Sequence, residues 1–464
     1  MTTALTLAWE APTIRPHGMG EINKFGHRAR RHNHVEDIDG VAIEELVATY
    51  GSPVFVSSER GLRRSIRHLR GLFERYWPTA VHGWSYKTNY TSAVCMILHQ
   101  EGSLAEVVSQ FEYDKARRLG VPGDCIVFNG PNKPRAAIHR ALSEGARLHV
   151  DHFDELAMVS DVARELGRVV PIGLRLNFET GFTEAWSRFG FNLDSGQAEE
   201  AIRRIIADPY LRLAGLHTHI GTFILDPRAY GAAITTLCRV LGEAEALQGI
   251  PLDYLDIGGG FPSRNALQGL YLPPDQAVPD LEDYVRAIAD ALARGTADRG
   301  QPPITLIYES GRAVVDDHQQ LITSVVGTKA LPDGRRSAVL DAGVNALFTA
   351  FWYDHEVRMT RPATGVAADT VLYGPLCMNI DVVRRSIQLP PLVAGDRLVI
   401  ANTGAYNNTQ WMQFIEYRPA IALVLEAGGH CLIRAAETLD VMCQQDRLPP
   451  HLATIVPAPL RRVG

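Results

Sequence analysis

The sequence has little of what marks a membrane, secreted or nucleic-acid-binding protein. None of its apolar runs approaches the roughly 20 residues that a membrane-spanning helix needs. Its first 18 residues contain Glu10 and Pro12 but no basic segment followed by an apolar core, so we expect no signal peptide. The formal net charge is −6 and no long basic stripe occurs, so neither a nucleic acid nor a membrane is an expected partner.

Paired cysteines are also absent. The six cysteines stand singly, without a Cys-x-x-Cys pair or a zinc-type spacing, so we expect neither a disulfide framework nor a metal site. Such a pattern fits a reducing, cytoplasmic compartment. The six are Cys95, Cys125, Cys238, Cys377, Cys431 and Cys443.

What the sequence does contain is a regular alternation. From about residue 80 to 312, short apolar runs are followed by stretches of helical periodicity. Eight strands alternating with helices predict a parallel (β/α)8 TIM barrel, with an open, doubly wound α/β sheet as the alternative. The predicted strands are 80–86, 104–108, 125–128, 148–150, 171–177, 212–219, 252–257 and 304–308.

The pattern changes after about residue 313, where apolar runs follow one another without helices between them and predict an all-β domain. The chain of 464 residues is 46% hydrophobic and long enough for two domains. We therefore predict an N-terminal segment (1–55) that partly joins the β domain, a barrel (56–312) and a C-terminal β domain (313–464). The run at 53–57 reads as a strand that could join either domain.

Polar residues follow several predicted barrel strands, at the end where parallel barrels place their active sites. Lys87 follows the first strand, His219 ends the sixth, a glycine triplet follows the seventh, and Glu309 and Arg312 follow the eighth. Taken singly, these features favour a surface lysine, a core histidine, a loop and a structural salt bridge. Their common position at one barrel mouth favours a functional site.

These residue types suit one kind of chemistry. A lysine amine can form a Schiff base with an aldehyde cofactor. A glycine-rich turn can cradle a phosphate with its backbone N–H groups. Glu309 could pair with a protonated pyridine nitrogen, which makes pyridoxal phosphate (PLP) an electron sink, and His219 could stack on the ring.

Six short motifs in order carry a resemblance to a known family. On them the chain resembles the fold-type III PLP decarboxylases, the group of the diaminopimelate, ornithine and arginine decarboxylases, from about residue 40 to 445. The resemblance implies an alanine racemase-like fold, a PLP-binding barrel followed by a β domain. Ser310 replaces the family's proline. The motifs are Tyr-Lys-Thr-Asn (86–89), His-Thr-His-Ile-Gly-Thr (217–222), Asp-Ile-Gly-Gly-Gly-Phe (256–261), Glu-Ser-Gly-Arg (309–312), Gly-Pro-Leu-Cys (374–377, with Asp381) and Gly-Ala-Tyr (404–406).

The resemblance also implies roles. Lys87 would hold the cofactor, His219 would stack on its ring, and Cys377 of a second subunit would donate a proton, so that a homodimer shares its active sites. A thiol can hold and release a proton near neutral pH. The implied cofactor-binding residues are Lys87, His219, Thr222, Gly258, Gly259, Gly260, Glu309, Gly311, Arg312 and Tyr406. The implied substrate-binding residues are Arg312, Tyr353, Asp354, Cys377 and Tyr406.

Two departures concern the substrate. Thr349 stands where diaminopimelate decarboxylases carry an arginine for a substrate carboxylate, and Met378 stands where they carry a glutamate for a substrate amine. Asp354, Glu179 and Glu184 are candidates for binding a substrate ammonium instead. We therefore expect decarboxylation of a basic diamino acid of the lysine or ornithine type, of either hand, or of a related amino-acid conjugate. A diaminopimelate decarboxylase, an amino-acid racemase and a non-catalytic homologue are the alternatives.

Overall fold

The computed structural model describes residues 34–270, 272–362 and 364–453. The region in which we looked for a signal peptide lies outside these residues. The strands are β1 (Asp37–Ile38), β2 (Val41–Ala42), β3 (Val54–Ser58), β4 (Ala80–Ser85), β5 (Leu104–Val107), β6 (Ile126–Phe128), β7 (Arg147–Val150), β8 (Val170–Asn177), β9 (Phe191–Asn192), β10 (Leu211–Thr218), β11 (Tyr254–Asp256), β12 (Thr305–Tyr308), β13 (Gln319–Ala330), β14 (Arg336–Leu340), β15 (Val357–Met359), β16 (Ala368–Tyr373), β17 (Val382–Leu389), β18 (Arg397–Ile400), β19 (Ala420–Val424) and β20 (His430–Arg434). The α-helices are α1 (Ile43–Tyr50), α2 (Glu59–Tyr76), α3 (Ser92–Gln100), α4 (Gln110–Arg118), α5 (Arg135–Ser143), α6 (Phe153–Leu166), α7 (Gln197–Ala207), α8 (Arg228–Gln248), α9 (Pro274–Ala277), α10 (Leu281–Gly295), α11 (Arg312–Val315) and α12 (Leu439–Cys443).

Eight parallel strands close into a barrel. Around the barrel β4, β5, β6, β7, β8, β10, β11 and β12 pair in turn, and β12 pairs with β4 to complete the ring. The closed barrel is confirmed, and the open-sheet alternative is wrong. Because helices cover the barrel from outside, strands such as β6 and β11 are buried along their whole length, which explains their continuous apolar runs.

The second sheet contains a strand from before the barrel. β3 lies between β13, which runs antiparallel to it, and β19, which runs parallel to it. The apolar run at 53–57 thus belongs to the β domain, which supports our proposal that the segment 1–55 partly joins that domain. The other strands of this sheet come from residues after 313.

Contacts between the two domains lie beside the turn that follows β4. The Tyr406 N–H donates to the Thr88 carbonyl at 2.8 Å, and Thr409 Oγ1 donates to the Lys87 carbonyl at the same distance. The β domain therefore forms one wall of the barrel mouth. Over the described residues, we find no helix with the length and apolar character to cross a membrane.

Candidate active site

Lys87 reaches the barrel mouth from a single 3-10 turn, Tyr86–Thr88, directly after β4. Its Nζ donates to both carboxylate oxygens of Glu106, at 2.9 and 3.2 Å. About 36% of the Lys87 side chain is exposed, whereas that of Glu106 is fully buried. The amine is therefore accessible from the mouth while its partner is not.

At the pair of Lys87 and Glu106, neighbouring charges affect the pKa values more than burial does. Burial alone would lower the pKa of Lys87, but the negative charges of Glu106 and Glu309 outweigh it and raise the pKa. Burial likewise opposes ionisation of Glu106, yet Lys87 and hydrogen bonds from Ser85 and Asn129 lower the pKa of this carboxyl. The pair is an ammonium held by a carboxylate.

Two carboxyl groups form the floor of the mouth. Burial, followed by the charge of Glu309, raises the pKa of Asp256 well above its ordinary value. Burial, followed by the charge of Glu106, raises the pKa of Glu309 to about 7. Glu309 is therefore the member of the pair that can ionise near neutral pH.

His217 lies next to Glu309 and has no hydrogen-bond partner for either ring nitrogen. Its Nε2 is 3.8 Å from Glu309 Oε2, and its ring stacks on that of His149 with centroids 4.7 Å apart. Burial lowers the pKa of His217 well below its ordinary value, so the ring is neutral. The floor thus contains two ring nitrogens that make no hydrogen bond to any described group.

The same floor could be considered as a metal centre. The donor atoms of His149, His217, Asp256 and Glu309 lie within 4.8 Å of one another. However, His149 uses both ring nitrogens, which lie 2.6 Å from an asparagine oxygen and 2.9 Å from a tyrosine hydroxyl. The cluster therefore does not offer four free ligands to a metal ion.

The glycine triplet after β11 folds tightly against His219. Gly258 and Gly260 have φ of +65° and +101°, and a Cβ at Gly259 would collide with the Glu309 carbonyl oxygen. The Gly259 N–H donates to His219 Nδ1 at 3.0 Å, which orients the ring. Burial and the nearby Lys87 charge lower the pKa of His219 well below its ordinary value, so a neutral ring faces the mouth.

This turn has fewer free backbone N–H groups for a phosphate than the sequence predicts. The Gly258 N–H is already bonded to Asp256 Oδ1 at 2.9 Å, and that of Gly259 to His219. Within the described residues only the Gly260 N–H of the triplet has no partner. Thr222 is exposed near this turn, at the end of the β10 segment.

Arg312 lies in an aromatic box. Its Cζ is 4.7, 5.2 and 5.6 Å from the ring centroids of Tyr406, Tyr353 and Phe223. Its Nη1 is buried without a hydrogen-bond partner. Burying a guanidinium N–H group without an acceptor costs free energy, so this nitrogen favours the binding of an anionic ligand. Gly311 beside it admits no side chain, since a Cβ there would collide with Thr88 Oγ1.

These residues fit PLP. Lys87 offers an amine for its aldehyde, Glu309 a carboxylate for its ring nitrogen, and His219 a neutral ring for its face. The unpartnered Arg312 Nη1 and the Gly260 N–H provide hydrogen-bonding capacity for anionic groups.

Two predicted site residues do not join this group. Cys377 is exposed on a loop of the β domain, where Asp381 holds the loop by accepting bonds from two backbone N–H groups at 2.8 Å each. Asp354 is also on the β domain and lies 3.9 Å from Arg384 Nη1. No hydrogen bond or ring contact connects Cys377 with the mouth in the described part of the chain.

Two further residues at the mouth were missed from the sequence. Glu106 is an acid inside the apolar strand β5, and that position was its only signal. Trp186 lies on the loop between β8 and β9; its ring centroid is 5.1 Å from that of His219, with the rings at 64°. The concentration of aromatic residues in this loop, with Phe182, Trp186 and Phe189, was a signal that could have been used.

Two models of one protein family match this chain. Residues 61–316 match the model of the pyridoxal-dependent decarboxylase family's pyridoxal binding domain, and residues 312–404 match that of its C-terminal sheet domain. Diaminopimelate decarboxylase of Methanothermobacter thermautotrophicus is 29% identical over 93% of this chain and 98% of its own length. That of Archaeoglobus fulgidus is 30% identical over 89% and 97%.

Solved structures show the same similarity. Diaminopimelate decarboxylase from M. jannaschii superposes with a TM-score of 0.81 at 26% identity, over 90% of this chain and 96% of that one. Lysine/ornithine decarboxylase from Vibrio vulnificus, complexed with cadaverine, has a TM-score of 0.69 at 25% identity, over 83% and 98%. The family predicted from the motifs is confirmed. The chain belongs to the pyridoxal-dependent decarboxylases, and it is a PLP-dependent carboxy-lyase.

Proposed function

We propose that this enzyme decarboxylates an α-amino acid with a basic side chain, of the lysine or ornithine type or a conjugate of one. The observation that carries the substrate class is Thr349. It is 1% exposed, and its Oγ1 lies 2.8 Å from His355 Nε2 and 2.9 Å from Asn407 Oδ1. The position at which diaminopimelate decarboxylases place a carboxylate-binding arginine is thus a buried, neutral part of the β domain.

The chain's own residues divide the work at the mouth. When bound, PLP supplies an aldehyde that accepts amines and a protonated ring that withdraws electrons from the bond to the α-carboxylate. Lys87 holds the cofactor, and Glu106 positions its amine through two hydrogen bonds. Glu309 presents a carboxylate to the ring nitrogen, while burial and the charge of Glu309 disfavour a second negative charge on Asp256. Arg312 binds an anionic group of cofactor or substrate.

The loop between β8 and β9 would meet the distal end of the substrate. It carries Glu179 and Glu184, both exposed and without an ion pair among the described residues, together with Trp186, which contacts His219. Unpaired carboxylates at the rim favour a distal ammonium over a distal carboxylate. Asp354 is a further candidate if a second subunit brings the β domain over the mouth.

We also propose a homodimer in which Cys377 serves the partner's active site. Cys377 is exposed on its own subunit, and so are two large apolar side chains of the β domain, Ile380 and Trp352, at 52% and 42% exposure. Large apolar side chains exposed on a surface favour a protein interface. Such an interface would bring to the mouth a thiol, which can hold and release a proton near neutral pH.

The substrate class is tested by a product screen. Purified holoenzyme is given D- and L-lysine, D- and L-ornithine, arginine and meso-diaminopimelate, and carbon dioxide and amines are measured. We expect a basic amino acid to exceed meso-diaminopimelate in kcat/KM by at least about tenfold, because the neutral Thr349 stands where an arginine would pair with the distal carboxylate of the latter. The names of the relatives favour diaminopimelate instead, and faster turnover of it than of every basic amino acid would overturn the proposal. Racemisation without carbon dioxide release would also contradict it.

Neutralising the acidic loop should weaken substrate binding. We expect the variant Glu179→Gln/Glu184→Gln to raise KM for the best basic substrate about 5–10-fold with kcat nearly unchanged. The reason is that the two carboxylates attract the substrate ammonium equally in the ground state and in the transition state. Steady-state kinetics measure this split. Glu243→Gln, an exposed acid on α8, is the control and should change neither constant; an unchanged KM in the double variant would exclude the loop as the ammonium site.

Trp186 should matter through its contact with His219. We expect Trp186→Ala to lower kcat/KM about tenfold, because it exposes the His219 face to water and removes an aromatic edge worth about 1 kcal/mol, and Trp186→Phe to recover most of the loss. Phe182→Ala is a matched control on the same loop, because Phe182 contacts Arg228 rather than His219. Equal losses in the two alanine variants would show only a loop effect.

A further inference from the structure

A second cavity lies between the barrel and the β domain, beside the segment that follows Lys87. Its volume is about 250 Å³, which is room for a small organic molecule, since a liquid water occupies about 30 Å³. Three cationic side chains line it: Lys115, Arg418 and Arg434. The rings of Tyr90 and Trp411 complete the wall beside them. None of these residues belongs to the barrel mouth.

The cavity has more positive charge than its surroundings neutralise. Among the described residues one carboxylate, Glu437, pairs with these cations, 3.6 Å from Arg418 Nε and 3.0 Å from Arg434 Nη2. Arg418 Nε is buried without a hydrogen-bond partner. Lys115 has neither an ion pair nor a hydrogen bond within the described ranges; its Nζ lies 5.6 Å from the Tyr90 ring centroid.

The backbone also contributes positive charge at the cavity. Helix α3 begins at Ser92 on the cavity wall, and its N-cap, Thr91, makes no side-chain capping bond. The positive end of this helix therefore lies at the cavity without a side-chain acceptor. Burial lowers the pKa of both Lys115 and Arg434, which shows that their charges are held there at a cost that a bound anion would relieve.

The cavity shares its walls with the segments that position the cofactor lysine. Tyr90 lines it and lies three positions after Lys87. Asn408 also lines it, and its neighbour Thr409 donates to the Lys87 carbonyl at 2.8 Å. A molecule bound against Tyr90 and Asn408 would hold both segments at once.

We propose that this cavity binds a small organic anion, a phosphate or carboxylate with a compact apolar part, and that the bound anion is an effector of the enzyme. The cations and the helix terminus bind the charged group, and the aromatic and aliphatic walls bind the rest. Binding that favours one arrangement of the Lys87 segment changes the affinity at the mouth, and the coupling is reciprocal. The regulatory part rests on the proposed decarboxylase function, whereas the binding does not.

The test is calorimetric titration of the holoenzyme with phenyl phosphate, with benzoate in parallel and phenol as the neutral control. We expect saturable binding of one anion per subunit and none of phenol. Lys115→Met should weaken binding at least tenfold, while Lys329→Met, an exposed lysine on β13, should bind as the wild type does. Tighter binding of phenyl phosphate identifies a phosphate ligand, and tighter binding of benzoate a carboxylate. Saturating anion should change kcat or KM of the best substrate at least twofold.

Several results would overturn the proposal. One is the absence of saturable binding up to about 10 mM anion, and another is equal binding by the wild type and Lys115→Met. A third is strict competition between the anion and the substrate, which would place the anion at the barrel mouth. A changed dimer dissociation constant in Lys115→Met, measured by sedimentation, would assign the cavity to the subunit interface instead. Binding without any kinetic change would remove the effector role. Binding in a protein that decarboxylates no basic amino acid would leave the site intact and refute only the proposed substrate.

Discussion

Lys87→Arg is expected to lower kcat by more than about 10³-fold, a loss of at least about 4 kcal/mol of transition-state stabilisation. The guanidinium keeps a positive charge beside Glu106, but it stays protonated and therefore cannot attack an aldehyde. The variant should also lose the visible absorption of the lysine-bound cofactor. Borohydride treatment followed by peptide mapping should label Lys87 in the wild type and no residue in the variant.

Arginine is the better substitution because alanine disturbs the fold as well as the chemistry. In Lys87→Ala the fully buried Glu106 loses its cation, and we expect a loss of about 1–3 kcal/mol in the free energy of unfolding, below the usual cost of breaking a buried pair because Lys87 is partly exposed. Lys87→Ala/Glu106→Gln should recover that stability without recovering activity, as followed by urea unfolding. Lys329→Arg should behave as the wild type. A Lys87→Arg enzyme that keeps the absorption band and a tenth of kcat would remove Lys87 from the proposed role.

The barrel and most of its mouth could be predicted because the information is local. Each strand is a short apolar run, and Lys87, His219 and Glu309 each directly follow one, so parallel pairing alone brings them to one end. Glu106 could not be found in this way. It lies inside β5, and its contact with Lys87 depends on the register in which Ser85 lies opposite Glu106, a pairing between distant segments that no pattern within either strand determines.

The protonation of the floor was also beyond the sequence. Asp256 and Glu309 differ little as residue types, and 53 positions separate them along the chain. Only burial and the charges of neighbouring carboxylates, which the fold brings together, raise the pKa of Asp256 well above its ordinary value and that of Glu309 to about 7. In the same way β3 could not be assigned from its own apolar pattern, because its neighbours β13 and β19 begin more than 260 residues later.

Cys377 shows a different limit of prediction from the sequence, because a single subunit does not place this residue at its own barrel mouth. If each active site combines Lys87 of one subunit with Cys377 of the other, two inactive variants should complement each other. Mixing Lys87→Arg with an equal amount of Cys377→Ala under conditions that exchange subunits should restore about a quarter of the wild-type activity. Half of the random dimers are then hybrids, and each hybrid has one intact site and one doubly altered site.

Subunit exchange has to be shown independently, because stable homodimers would also give no recovery. Differently tagged copies of the two variants should co-purify after mixing, and tagged wild-type subunits mixed with Lys87→Arg should give activity in simple proportion to the wild-type share. A Cys377→Ala enzyme that is active by itself would mean that Cys377 has no part in the reaction. Hybrids that form but remain inactive would mean that Lys87 and Cys377 serve the same subunit. In that case a single subunit would have to bring the loop at Asp381 to its own mouth, which requires a rearrangement of the β domain, because that loop is held by the Val344 and Leu376 N–H groups on the β domain itself.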